Sequence, residues 1–346
     1  MAPIYVNKTL VRLLVAGVLV ACATAIWLLW NPRYETLDGH SDQVTSLAFS
    51  PEGHNVLVSS SLDGQIGVWT LAPQTVSFRS LPGVVPTCLS FSPDGRQLAV
   101  GTHEDVATKP SSHTDFVLPE LFRIAILDWK TAKVTKEVKA SGGTPTALVY
   151  SKFRPLLVSI STLQLCLWNT DRWEVIERID VTNRGGPVAG FAARGERLIF
   201  ANSNGSIGVY DVDSRTTELF HGPSEATVAL ACREEMSNDV VVLTRKHLYK
   251  IDLLTHTPAR VASFENAMSG SALCRLEKSN VYAVGLMELG EITFRRAKLV
   301  LIDGDTFAIE STFAGLPGGI TTICVSDDEM ALACSGFEPQ IRVVNR

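Results

Sequence analysis

His103, Glu104, Asp105, His113 and Asp115 fall within one stretch of twenty residues, HEDVATKPSSHTDFVLPELF. Imidazole nitrogens and carboxylate oxygens are the groups that hold transition metals. Their separations match no recognised metal site, and a solvated acidic loop accounts for the same composition. No metal and no cofactor is expected. The chain also lacks the GxSxG elbow, the GxxxxGK phosphate loop, HExxH and a GxGxxG after a strand. No catalytic residue is assigned.

The cysteines offer little more. Seven are scattered over 346 residues, without CxxC pairs or zinc-like spacing. Cys324 and Cys334 fall on one expected hairpin and would face each other there, as packed thiols rather than a bridge. Asn204-Gly205-Ser206 is a glycosylation sequon, but Asn-Gly is also what a tight hairpin turn requires, and the turn reading is preferred. The net charge of −5, with no run of Lys and Arg, argues against a nucleic-acid surface.

The elements that position these residues are read from a repeat. Strand-then-turn segments such as IGVWTLAPQTV recur as IAILDWKTAKV, LCLWNTDRWEV, IGVYDVDSRTTEL, LYKIDLLTHTPARV, LVLIDGDTFAI and IRVVNR. Each places a bulky residue before a polar one: Trp69, Leu127, Trp168, Tyr210, Ile251, Ile302 and Val344, at intervals of 58, 41, 42, 41, 51 and 42 residues. One period with two insertions explains all six. A first strand with a following turn (VTSLAFSPEG, PTCLSFSPDG) and a short apolar second strand (NVLVSSS, QLAVGTH) repeat in phase. Every unit is therefore four short strands.

A period of this length with four strands per unit resembles the WD-repeat β-propellers, in degenerate form. The resemblance covers residues 33–346 and implies an all-β, seven-bladed propeller of four-stranded blades. It also implies a buried hydrogen-bonded set in the first blade, with His40 after Gly39, Ser59 (alternatively Ser61), Asp63 and Trp69. The later blades lack the His, and most lack the Trp. The chain ends after the third strand of unit seven, so Arg33–His40 is expected to close the ring beside Gln340–Asn345.

Ahead of the repeats, Leu13–Trp30 runs eighteen residues without a charge, about 27 Å as a helix and close to a bilayer's hydrocarbon thickness. It reads as one transmembrane helix, a signal anchor. Lys8 and Arg12 place residues 1–12 in the cytoplasm and the propeller outside it. The alternatives are a lipoprotein processed at Cys22 and a cleaved secretory signal.

The function expected is a membrane-tethered interaction scaffold presenting propeller loops to a protein partner. The alternative is a propeller enzyme or small-ligand binder acting at the central channel. The partner-binding rim is expected on the membrane-distal face, where the two insertions bring His103, Glu104, Asp105, His113 and Asp115, and Glu288 with Glu291.

Overall fold

The computed structural model describes residues 34–53, 55–104, 122–140, 142–161, 163–181, 188–202, 205–232, 238–264, 268–288, 296–316 and 318–346. The expected span Leu13–Trp30, with Cys22, and the loop residues Asp105, His113, Asp115, Asn204 and Glu291 lie outside them. No described helix is long and apolar enough to cross a membrane.

The described residues form seven four-stranded sheets, each antiparallel throughout. Blade one comprises Val44–Phe49, Val56–Ser61, Gln65–Leu71 and Gln74–Ser80. Blades two to six follow at 84–139, 145–180, 188–221, 227–263 and 268–316, and each sheet keeps chain order. Each blade's first strand touches the first strands of its neighbours, and that of blade seven (Thr322–Val325) touches that of blade one. The ring is closed.

Seven apolar clusters hold it together, one between each pair of neighbouring blades. Leu57, Phe49 and Trp69 of blade one, for example, pack on Ala331, Ile341 and Val343 of blade seven. Both faces of each sheet are thus covered. The second strands consequently lose the alternation of a half-buried strand and become continuous buried runs, as in Leu156–Ser161. Fourth strands line the outer wall, and Gln74–Ser80 is mostly exposed.

Closure is made by Tyr34–Leu37, which pairs antiparallel with Ile341–Asn345 and supplies the fourth strand of blade seven. The register sets Tyr34 opposite Val344 and Leu37 opposite Ile341. Leu37 is fully buried. This pairing covers the third strand of blade seven, which would otherwise present an open edge.

The bulky-then-polar column of the repeat has a local cause. Asp128, Asn169, Asp211, Asp252 and Asp303 each end a third strand and accept hydrogen bonds from the turn that follows. In blade two the Thr131 amide and hydroxyl donate to Asp128 Oδ1 at 2.8 and 2.6 Å. The residue four places after the carboxylate or amide adopts a left-handed conformation each time: Ala132, Trp173, Arg215, His256 and Phe307, with φ of 55–57°. A side-chain cap followed by one left-handed residue turns the chain back into the fourth strand.

The cysteine expectation is corrected by register. Cys334 pairs with Ile323 and Cys324 with Ala333, so the two thiols lie on opposite faces of the sheet. Cys334 packs toward blade six and Cys324 toward blade one. All six described cysteines are free.

Candidate functional site

In blade one, four side chains from four segments meet. The loop entering the first strand carries His40, the second strand Ser59, the following turn Asp63, and the third strand Trp69. His40 Nδ1 lies 2.8 Å from Asp63 Oδ2, and His40 Nε2 lies 2.7 Å from Ser59 Oγ. The Trp69 indole N–H donates to the same Ser59 oxygen at 2.8 Å. Phe78 closes the set from the outer strand, edge-on to both His40 and Trp69.

The set is sealed: the side chains of His40 and Asp63 are 0% and 4% exposed. Burial pushes the Asp63 carboxyl up. The His40 ring and the amides of Ser41 and Gln65, at 3.0 and 2.9 Å, more than reverse this and hold it below the usual carboxylate range. Gly67 is needed beside them. A Cβ there would lie 2.6 Å from Ser59 Oγ, 2.8 Å from Trp69 Nε1 and 2.9 Å from His40 Nε2. With every polar atom committed internally, this set fixes geometry and leaves nothing over for a substrate.

The equivalent slots of other blades are filled differently. Blade three keeps half the set, with Trp168 Nε1 donating to Ser159 Oγ at 2.9 Å. In blade four Phe200 takes the place of the serine, and its ring lies across Gly208, where a Cβ would be 2.1 Å away.

Blade five carries a second polar latch, which sequence reasoning missed. Glu225, from the loop entering the blade, accepts from the Thr244 hydroxyl at 2.6 Å and faces His247 Nε2 at 3.3 Å. His247 Nδ1 in turn lies 3.1 Å from Ser263 Oγ. Hydroxyl, imidazole and carboxylate in sequence would suit acyl transfer. Thr244, however, also donates to the His247 carbonyl at 3.1 Å, so the carboxylate is tied to the same turn it would have to serve. The arrangement joins the entering loop to the start of the third strand, as His40 and Asp63 join the entering loop to the turn before it in blade one. Its residues stand off the WD-type columns, so only spatial proximity reveals it.

A third device ties blades six and seven at the opposite face. Glu329 accepts the amides of Lys278 and Ser279 at 2.5 and 2.9 Å. Its burial favours the neutral acid, but the hydrogen bonds from Ser279 and Lys278 prevail and keep the carboxyl below its ordinary range.

The remaining expected residues are not drawn into one site. His103 and Glu104 belong to the strand Gln97–Glu104 rather than to the loop after it. His103 pairs with Phe122 and leaves Nδ1 buried without a partner, while Glu104 faces Arg123 at 3.7 Å. Glu288 ends its strand by donating its amide to Arg296 at 2.9 Å. Both insertions, 105–121 and 289–295, connect second to third strands, of blades two and six. Because strands alternate in direction, the strand ends that flank them lie on the face where first strands begin. Tyr34, starting an outer strand, lies at the other face.

The described residues form a seven-bladed β-propeller, and its first blade carries a hydrogen-bonded set similar to that of a WD repeat. Residues 31–70 match the WD domain, G-beta repeat family. An uncharacterised WD repeat-containing protein of Synechocystis sp. is 37% identical over 70 residues, 20% of this chain and 20% of that protein. WD repeat-containing protein WRAP73 of Mus musculus is 30% identical over 81 residues, 23% of this chain and 18% of that protein. The chain thus aligns with about a fifth of the length of either relative.

Proposed function

We propose that this chain is a membrane-tethered scaffold that presents its propeller loops to a protein partner. The observation that carries the reading is that the strand ends flanking both long insertions lie on one face of a closed disc, opposite the face where Tyr34 begins. Long loops on a rigid frame are where binding resides. Only residues 31–33 separate Tyr34 from the apolar run Leu13–Trp30, a reach of about 10 Å if extended. The anchor therefore brings the Tyr34 face toward the bilayer and leaves the insertions pointing away, with the amino terminus cytoplasmic and the disc on the far side. The residues assigned to partner binding are Glu104 and Glu288, at strand ends on that face, with Asp105, Asp115 and 289–291 of the insertions.

Two experiments test the reading. Crosslinking from membranes should capture a partner that is lost when 105–120 is shortened, with the unfolding midpoint unchanged; capture that survives trimming of both insertions removes the distal face from consideration. Protease added to the outer surface of intact cells or spheroplasts should degrade the disc, and full protection until lysis would reverse the orientation.

A further inference from the structure

Blade seven differs from the others at the position of Gly67. There the third strand carries Arg342, paired with Cys334 where blade one pairs Gly67 with Ser59. Its described neighbours supply no carboxylate to match. The loop entering this blade, 316–321, holds no titratable residue, and Leu316, Cys334 and Val344 are buried apolar walls. Nε and Nη1 of Arg342 are buried without a hydrogen-bond partner, and the guanidinium forms no ion pair with a described carboxylate. Its carbon lies 5.8 Å from the centre of the Tyr34 ring, which comes from the closing strand. Where Phe78 caps the slot of blade one, the closing strand places Thr36 opposite Arg342, so the slot has a smaller cover.

Arg342 is half-buried, and two of its guanidinium nitrogens withdrawn from water without an acceptor oppose folding. Apolar residues fill this position at no such cost in blades two and six, as Ala125 and Val300. We propose that the blade-seven slot is a carboxylate-binding site, with Arg342 as the charge that recognises the ligand and Tyr34 holding its plane. A carboxylate fits the arrangement better than a phosphate dianion: it matches one guanidinium charge for charge, and the buried residues described around it, Leu316, Cys334 and Val344, carry no second cation. The carboxylate comes from an acidic side chain of a peptide or from a free organic acid. The site stands independently of the scaffold reading, because it is defined by the blade seam and not by the insertions. Since Tyr34 and Arg342 lie on the two strands that close the ring, an occupant would also tighten closure.

The test uses the full chain in detergent at constant ionic strength. Succinate in one arm and a short glutamate-containing peptide in the other are titrated against sodium chloride controls, following the thermal midpoint and the Arg342 Nε–H resonance. Saturable shifts in either arm are expected, and the arm with the tighter response identifies the source. Arg342→Met should weaken that binding at least about tenfold while raising the unfolding midpoint of the free protein. The resonance arm requires no variant and stands even if Arg342→Met misfolds. Absence of any saturable response in the wild type overturns the proposal, as does an equal response in Arg342→Met. Trimming the insertions should leave these titrations unchanged, which separates failure here from failure of the scaffold reading.

Discussion

Glu225 and His247 join, at 3.3 Å, the loop entering blade five to the start of its third strand. His40 and Asp63 join the loop entering blade one to the turn just before its third strand at 2.8 Å, with acid and base exchanged. The exchange preserves the link because a hydrogen-bonded acid–base pair has no required direction along the chain. Burial separates their strengths. The blade-one side chains are almost fully enclosed, while those of His247 and Glu225 are 19% and 33% exposed. A double-mutant cycle on His40→Ala and Asp63→Ala should give a coupling of about 1–3 kcal/mol. The matching cycle in blade five should give about 1 kcal/mol or less, because solvent screens it. Chemical denaturation measures both, and equal couplings would contradict the burial argument.

Acid should weaken blade one in a defined direction. The Asp63 carboxyl is held below its ordinary value in the folded protein. It therefore contributes stability that is complete above the unfolded value, about 3.9, and is lost as pH falls through the folded one. Asp63→Asn should flatten this part of the profile. Urea midpoints measured from pH 6 to pH 2.5, with Trp69 fluorescence as the probe, should show the variant losing less stability than the wild type across that window.

The Glu329 latch ties blade seven to the turn of blade six through two backbone amides. Glu329→Ala leaves both donors without their acceptor and should destabilise by about 1–3 kcal/mol. Hydrogen exchange at Lys278 and Ser279 should accelerate more than exchange in blade three. Uniform acceleration around the ring would mean that the latch is not local.

Closure depends on Leu37, which is fully buried against blades one and seven. Leu37→Ala should cost about 2–5 kcal/mol. The loss should appear first as faster amide exchange in Ile341–Asn345, whose partner strand is then held less firmly.

Ala132 occupies a left-handed conformation, φ 55°, after the Asp128 cap. Glycine adopts that conformation without a Cβ clash, so Ala132→Gly should stabilise the protein by about 0.5–1 kcal/mol despite the added freedom of the unfolded chain. A thermal midpoint below wild type would show that the cap, rather than the left-handed residue, governs this turn.

The repeat interval and the bulky-then-polar column were legible in the sequence because they report local chemistry. Asp128 and Asp303 cap turns a few residues away, and second strands buried on both faces read as apolar runs wherever they occur. The expected closure by 33–40 beside 340–345 is made by the shorter strand Tyr34–Leu37, which covers an edge that would otherwise be open. What remained hidden were relations between segments with no periodic link. The Glu225–Thr244–His247 latch, the Glu329 bridge and the unpartnered Arg342 arise from loops and neighbouring blades brought together by closure. The opposite orientations of Cys324 and Cys334 turn on a register offset of one residue, which reverses the face of a side chain and leaves no mark in composition. Sequence by itself determined the number and order of the strands, because hydrogen-bonded turns and burial act within each unit. Tertiary structure decided which charges meet, because distances across a blade seam are set by packing.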